Sequence, residues 1–112
     1  MGKHNCNDTT NSRSENIFSV YCGIVIKKIR KEKGMSGFEL AKKLNLSQQQ
    51  ISRYELGLTK LNIDMMIDIA DCLGITFEQL IRFTFREIYK SESDDSLKLK
   101  NKSSLFDSFY FY

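Results

Sequence analysis

The chain has few of the residues from which metal sites and catalytic centres are assembled. Its 112 residues include one histidine, His4, and three cysteines, Cys6, Cys22 and Cys72, with no pair at C-x-x-C spacing. An odd number of scattered cysteines indicates neither a disulfide framework nor a zinc site. A single histidine near the N-terminus leaves no base, nucleophile pair or metal cluster to assemble. We therefore expect no enzymatic activity, no metal and no cofactor.

Long apolar runs are also missing. No run approaches the roughly 20 residues of a membrane-spanning helix, and the polar N-terminus does not have the apolar core of a secretion signal. We expect a cytoplasmic protein without membrane contact. The length allows one small domain with tails. We expect a disordered arm over residues 1–14, the domain over 15–90, and a charged linker with an aromatic tail over 91–112.

The aromatic tail, LFDSFYFY, ends the chain with five aromatic rings. A polar disordered tail does not need such a cluster, and five rings in water promote aggregation. We expect Leu105 to Tyr112 to pack on an apolar surface or to bind a protein partner.

Positive charge is concentrated in the first half of the chain. Residues 1–60 carry 11 basic and 5 acidic side chains, whereas residues 61–112 carry 6 and 9. A basic half is typical of a surface that faces phosphate groups. RNA is a weaker interpretation, because no aromatic stacking platform accompanies the basic residues.

Residues 35–57 predict two short helices joined by a tight turn. Apolar spacing places the first helix over Gly37–Leu44 and the second over about Gln48–Leu56. Asn45 lies between them, where the turn needs a residue that tolerates positive φ. The pattern is that of a helix-turn-helix.

The second of these helices has two different faces. Ile51 and Tyr54 point inward, and the opposite face carries glutamine, serine and arginine side chains. Amides pair with adenine and guanidinium groups with guanine in the major groove. The alternative is a solvated polar face on a small helical bundle. The turn, the capping residues at the helix starts and the basic first half of the chain favour double-stranded DNA as the binding partner. The expected base contacts are Gln48, Gln49, Gln50, Ser52 and Arg53. The expected phosphate contacts are Ser36, Gly37, Thr59 and Lys60.

Three further helices complete an all-α bundle. They are predicted from about residue 15 to Gly34, over Ile63–Leu73, and from Phe77 to about Tyr89. Alternation of Ile, Phe and Phe over residues 81–85 also fits a strand, but the cap before the segment favours a helix. Four predicted starts carry capping signals, which are Ser36 with Glu39, Ser47 with Gln50, Thr76 with Gln79, and Asn62.

The last helix has more apolar surface than one side of a four-helix core can cover. Its surplus residues, Phe77, Ile81 and Phe85, are expected to pair across a two-fold axis in a homodimer. The two copies of the helix over about Gln48–Leu56 would then lie about 34 Å apart and match half-sites one DNA turn apart.

From about Cys22 to Leu80 the chain resembles the Cro/C1-type (XRE-like) helix-turn-helix regulators of phages and bacteria. The resemblance is carried by Gly23, Ile26, Ile29, Arg30, Lys33, Gly34, Ser36, Glu39, Leu40, Ala41, Leu44, the run Ser47–Glu55, Gly57, Ile69, Ala70, Leu73, Gly74, Ile75 and Leu80. It implies a compact five-helix Cro/C1 repressor-like bundle and a sequence-specific regulator of transcription. We expect a dimeric repressor that acts on its own or neighbouring promoters.

The resemblance also implies a structural ion pair between Arg30 and Glu55, for which two solvated charges are the alternative. The chain departs from the family at Gly37, where much of the family has a glutamine, and at Leu56 and Leu58, where polar residues are usual. The run QQQISRYE is similar to small regulators encoded with enterobacterial fimbrial operons, which repress motility genes.

Two other functions stay open for the same domain. One is an antitoxin or a restriction-controller protein, which the sequence does not separate from a repressor. The other is a protein-interaction adaptor that uses the fifth helix and the aromatic tail. The adaptor predicts weak DNA binding without sequence preference.

Overall fold

The computed structural model describes residues 16–91, which form five α-helices and no strand. The helices are α1 (Ile17–Glu32), α2 (Gly37–Leu44), α3 (Gln48–Glu55), α4 (Ile63–Cys72) and α5 (Phe77–Lys90). The all-α bundle is therefore confirmed. The predictions on residues 1–14 and on the tail after Ser91 lie outside the described residues. Within the described range, no helix has the length and apolar character needed to cross a membrane.

Side-chain caps fix the start of every helix after α1. The predicted capping boxes and the asparagine cap are all confirmed. In the first box, Ser36 Oγ accepts from the Glu39 N–H at 3.0 Å, and the Glu39 carboxylate accepts from the Ser36 N–H at 2.8 Å. The caps are Ser36 for α2, Ser47 for α3, Asn62 for α4 and Thr76 for α5. Because each cap satisfies helix N–H groups locally, the starts of these four helices agree with the sequence prediction.

The helix α2 ends at Leu44 as predicted, and the other helix ends differ from the prediction by one or two residues, for a local reason. Leu56 and Leu73, predicted as the last residues of their helices, are C-caps just past the ends of α3 and α4. After Leu56, Gly57 has a φ of 74°. The Leu58 N–H then donates to the Arg53 carbonyl at 2.9 Å, which closes a Schellman turn. Asn45 ends α2 with a φ of 62°, as the helix-turn-helix prediction required.

The core lies between α1 and the other four helices. Each helix contributes buried apolar side chains, and α1 contributes the most. The core members are Cys22, Val25, Ile26, Ile29, Leu40, Ala41, Ile51, Leu61, Met66, Ile69, Ala70, Leu73 and Leu80. Cys22 is fully buried, as expected of a small apolar side chain, whereas Cys72 is half-buried.

Close backbone contact joins α1 to the end of α3. A Cβ at Gly23 would lie 2.3 Å from the Tyr54 carbonyl oxygen, so no larger residue fits there without a shift of the backbone. A Cβ at Gly57 would likewise lie 2.9 Å from a Val20 methyl carbon. The loop that follows is held by Ser19, whose Oγ accepts from the Leu61 N–H at 3.1 Å. The C-terminal end of α3 is therefore fixed against α1.

Candidate nucleic-acid interface

The outward face of α3 is polar and exposed along its whole length. Ile51 and Glu55 are its buried residues, with 1% and 7% of their surface exposed, and Tyr54 is half-buried. The five predicted base-contact residues are all exposed, and they are Gln48, Gln49, Gln50, Ser52 and Arg53. An eight-residue helix with one buried face and one polar face has the size to enter a major groove.

An ion pair fixes the rear of this helix. Arg30 Nε donates to Glu55 Oε2 at 2.7 Å, and Arg30 Nη2 donates to Glu55 Oε1 at 2.9 Å. Nη1 of the same guanidinium donates to the Met35 carbonyl at 2.8 Å. The hydrogen bonds to Glu55 raise the pKa of Arg30 above its ordinary value. The pair is buried and bidentate, so Arg30 links α1, the α1–α2 turn and α3.

The three glutamines have different surroundings. The Gln50 Oε1 atom accepts from the Ser47 N–H at 2.9 Å, so this side chain takes part in the cap of α3. Paired reading of adenine needs both the oxygen and the nitrogen of an amide. While the cap is closed, the amide nitrogen is therefore the atom of Gln50 that is available to a base. Gln48 lies beside Gly37, with its Nε2 atom 3.8 Å from the position a Cβ there would take.

Arg53 is joined to the loop after α3. Its Nε donates to Thr59 Oγ1 at 3.1 Å. Arg53 is a predicted base contact and Thr59 a predicted phosphate contact, and the helical pattern does not predict the bond between them. The signal that points to it is Gly57, because the Schellman turn folds the following loop back toward the last turn of α3.

The predicted phosphate contacts lie at the start of α2 and in the α3–α4 loop. Ser36 and Lys60 are exposed, and Gly37 and Thr59 are half-buried. The Ser36 N–H already donates to the Glu39 carboxylate, whose negative charge would repel a phosphate at that atom. Gly37 is the first residue of α2, where backbone N–H groups have no partner within the helix. Of the two residues, Gly37 has the more suitable N–H.

Several apolar side chains around this face are exposed. Phe38, Leu56 and Leu58 have 59%, 56% and 55% of their surface exposed. Leu56 and Leu58 are the positions at which the chain departs from the usual polar residues. Among residues 16–91, no three or more His, Cys, Asp or Glu side chains are grouped so as to hold a metal ion.

The residues expected at a dimer interface lie on α5 and are half-buried within one copy. Phe77 and Ile81 pack against the core. The Phe85 ring contacts Phe18 edge to face, with 5.6 Å between the ring centroids. Part of the apolar surface that the sequence predicts to be surplus is thus covered within the domain.

A comparison with known families matches residues 26–80 to a family model described as "Helix-turn-helix". The match begins within α1 and ends within α5, so it includes α2, α3 and the loop to α4. It supports the Cro/C1-type assignment that the sequence motifs indicate. No curated protein and no solved structure matches the chain.

Proposed function

We propose that this protein is a sequence-specific DNA-binding regulator of transcription that inserts α3 into the major groove. The observation that carries the proposal is the exposed Gln, Ser and Arg face of α3, fixed from behind by the buried pair of Arg30 and Glu55. A rigid helix holds its side chains in the narrow geometry that base recognition needs. The match of residues 26–80 to the helix-turn-helix family supports the same function.

The two kinds of predicted DNA contact have different signatures in binding experiments. Base contacts determine which sequence binds, whereas phosphate contacts set orientation and carry no sequence information. In this proposal Gln48, Gln49 and Arg53 read base edges, with Gln50 and Ser52 in smaller roles. Lys60, Thr59 and the N-terminus of α2 hold phosphates.

Two alanine variants test this division on the DNA duplex that the wild-type protein selects from a randomised library. Arg53→Ala should weaken binding to the selected duplex by about 1–3 kcal/mol and relax the preference at one base pair, which we expect to be G·C. Lys60→Ala should weaken selected and scrambled duplexes similarly and flatten the salt dependence by about one unit of slope. Titrations of both variants over a salt series measure the two effects.

Two results would contradict the proposal, and a third would change its set of phosphate contacts. If the wild-type protein selects no sequence, it is not a sequence-specific regulator, and the adaptor function is favoured. If Arg53→Ala weakens both duplexes equally while Gln49→Ala keeps the preference, α3 does not read bases. A Lys60→Ala variant with an unchanged salt slope would remove this lysine from the phosphate contacts.

We further propose that the protein represses transcription as a homodimer with an α5 interface around Phe77, Ile81 and Phe85. Half-sites centred about 34 Å apart in the selected DNA would support this geometry. Sedimentation at micromolar concentration tests it, and a monomer that also fails to pair on DNA would contradict it.

Mapping the bound sites in the genome identifies the regulated promoters. A neighbouring toxin or methylase gene would favour the antitoxin or restriction-controller alternative. The subgroup associated with fimbrial operons remains a prediction.

A further inference from the structure

The bond between Arg53 and Thr59 restricts how the arginine can meet a base. An arginine guanidinium has five N–H donors, which converge in pairs along its Nε side or at its Nη1/Nη2 end. Thr59 Oγ1 accepts the Nε–H at 3.1 Å. While this bond is kept, the Nη1/Nη2 end is the edge available for a bidentate contact with guanine O6 and N7.

The same bond determines what the threonine hydroxyl does. A hydroxyl has one hydrogen to donate, and here its oxygen accepts from Arg53. The hydrogen is therefore directed to another acceptor. Thr59 lies in the α3–α4 loop next to exposed Lys60, on the side predicted to contact the DNA backbone. A phosphate oxygen is the acceptor that DNA provides there.

The backbone holds the two residues at this spacing. The Schellman turn at Gly57 brings the loop back, and the Leu58 N–H donates to the carbonyl of Arg53 itself. Val20 packs against Gly57 from α1, which limits the freedom of the turn. Thr59 is half-buried, whereas Arg53 is exposed. The threonine is therefore the more fixed partner, and it orients the arginine.

We propose that Thr59 is a positioning residue that sets the base preference of the protein through Arg53. Its hydroxyl holds the arginine end-on toward a G·C pair and donates its hydrogen to a neighbouring phosphate, which links base recognition to the backbone contact. This inference rests on the proposed DNA-binding function, and the experiment below separates failure of one from failure of the other.

The test uses the full chain, the duplex selected by the wild-type protein, and the same duplex with the G·C pair read by Arg53 replaced by A·T. Thr59→Val keeps the shape of the side chain and removes the hydroxyl, and Thr59→Ser restores it. Thr59→Val should lower the affinity ratio between the two duplexes by about five- to tenfold, which is part of the discrimination one bidentate arginine supplies. Thr59→Ser should keep the ratio within about twofold of wild type. Lys60→Ala serves as the control, because it should weaken both duplexes by the same factor.

A double variant shows whether Thr59 acts through Arg53. In an Arg53→Ala background, Thr59→Val should change the ratio no further, because residues that act as a unit are not additive. If Thr59→Val weakens both duplexes equally and keeps the wild-type ratio, Thr59 is a phosphate contact alone and the inference is wrong. The inference is also wrong if Thr59→Ser loses the preference as Thr59→Val does. It is wrong as well if the effects of Arg53→Ala and Thr59→Val on the affinity ratio add up in the double variant. If Arg53→Ala leaves the ratio at its wild-type value, the proposed recognition face fails instead. Thermal unfolding followed by circular dichroism checks that each variant is folded. If Thr59→Val is unfolded, Thr59→Ala replaces it, and this variant must lower the affinity ratio between the two duplexes that Thr59→Ser keeps.

Discussion

Removal of the Glu55 carboxylate should destabilise the domain far more than its single pair of charges suggests. In Glu55→Ala the Arg30 guanidinium keeps its charge but loses two of the three hydrogen bonds it makes. Only 10% of that side chain is exposed, so water does not replace the lost bonds without local unfolding. A buried charge without its partner costs about 3–5 kcal/mol. The bond that Arg30 keeps to the Met35 carbonyl places the expected loss near the lower figure, about 3 kcal/mol.

That loss is large relative to the stability of a small domain. At roughly 0.05–0.15 kcal/mol per residue, the 76 residues from 16 to 91 have a total stability of about 4–11 kcal/mol. A loss of about 3 kcal/mol should lower the unfolding midpoint by at least about 12 °C, since each kcal/mol shifts a domain of this size by about 4–8 °C. Urea unfolding followed by circular dichroism measures the free energy directly.

A second ion pair, with a similar distance between its charged atoms, provides a matched control. Lys28 Nζ lies 2.6 Å from Glu87 Oε2, and this pair joins α1 to α5 as Arg30 and Glu55 join α1 to α3. The Lys28 side chain is 54% exposed, however, so water solvates its charge. Glu87→Ala removes a carboxylate as Glu55→Ala does, and it leaves behind Lys28 and the exposed second partner Lys90, so it should cost at most about 1 kcal/mol. If the two variants cost the same, burial does not determine the strength of these pairs and the reasoning is refuted.

Three further predictions test the packing, the thiols and the tail. Gly23→Ala should cost about 1–3 kcal/mol because its Cβ overlaps a carbonyl oxygen, whereas Gly37→Ala, whose Cβ would make only ordinary contacts at 3.8–4.0 Å, should gain about 0.5–1 kcal/mol of helix stability; urea unfolding compares the two. Burial raises the pKa of Cys22 from 9.0 to about 11, so its contribution to the free energy of unfolding should be complete below pH 9 and fall as the pH rises toward 11. In a variant without the other cysteines, a thiol-reactive reagent should label Cys22 only on unfolding. Deletion of residues 104–112 should lower solubility or dimer stability and leave the half-site preference unchanged, and an equally stable and soluble dimer in sedimentation would contradict a packing role.

Local signals account for most of what could be predicted of the fold. Capping boxes lie within four consecutive residues, so Ser36, Ser47 and Thr76 identify helix starts without knowledge of the tertiary structure. The predicted ends of α3 and α4 are less accurate than the predicted starts, because the residue before a Schellman glycine is only half helical. Leu56 and Leu73 illustrate this.

Contacts between distant segments could not be predicted from periodicity. The apolar stripe of α5 does not reveal that Phe18 covers Phe85, since the two rings are 67 positions apart in the chain. The bond from Arg53 to Thr59 depends on the path of the loop between them, which a helical pattern does not describe. The same sequence pattern predicts both a helix cap and a base contact for Gln50. The geometry shows that its oxygen is engaged in the cap.

The division of α3 into a buried and an exposed face has a consequence for how the protein evolves. Ile51, Glu55 and the close approach at Gly23 hold the helix, and none of them lies on the outward face. If α3 reads DNA as we propose, substitutions at Gln49 or Ser52 change what the helix recognises and leave the core as it is. Descendants of this chain can acquire new target sites without first becoming more stable. Exchange of outward residues between relatives should transfer their preferences while the scaffold stays constant.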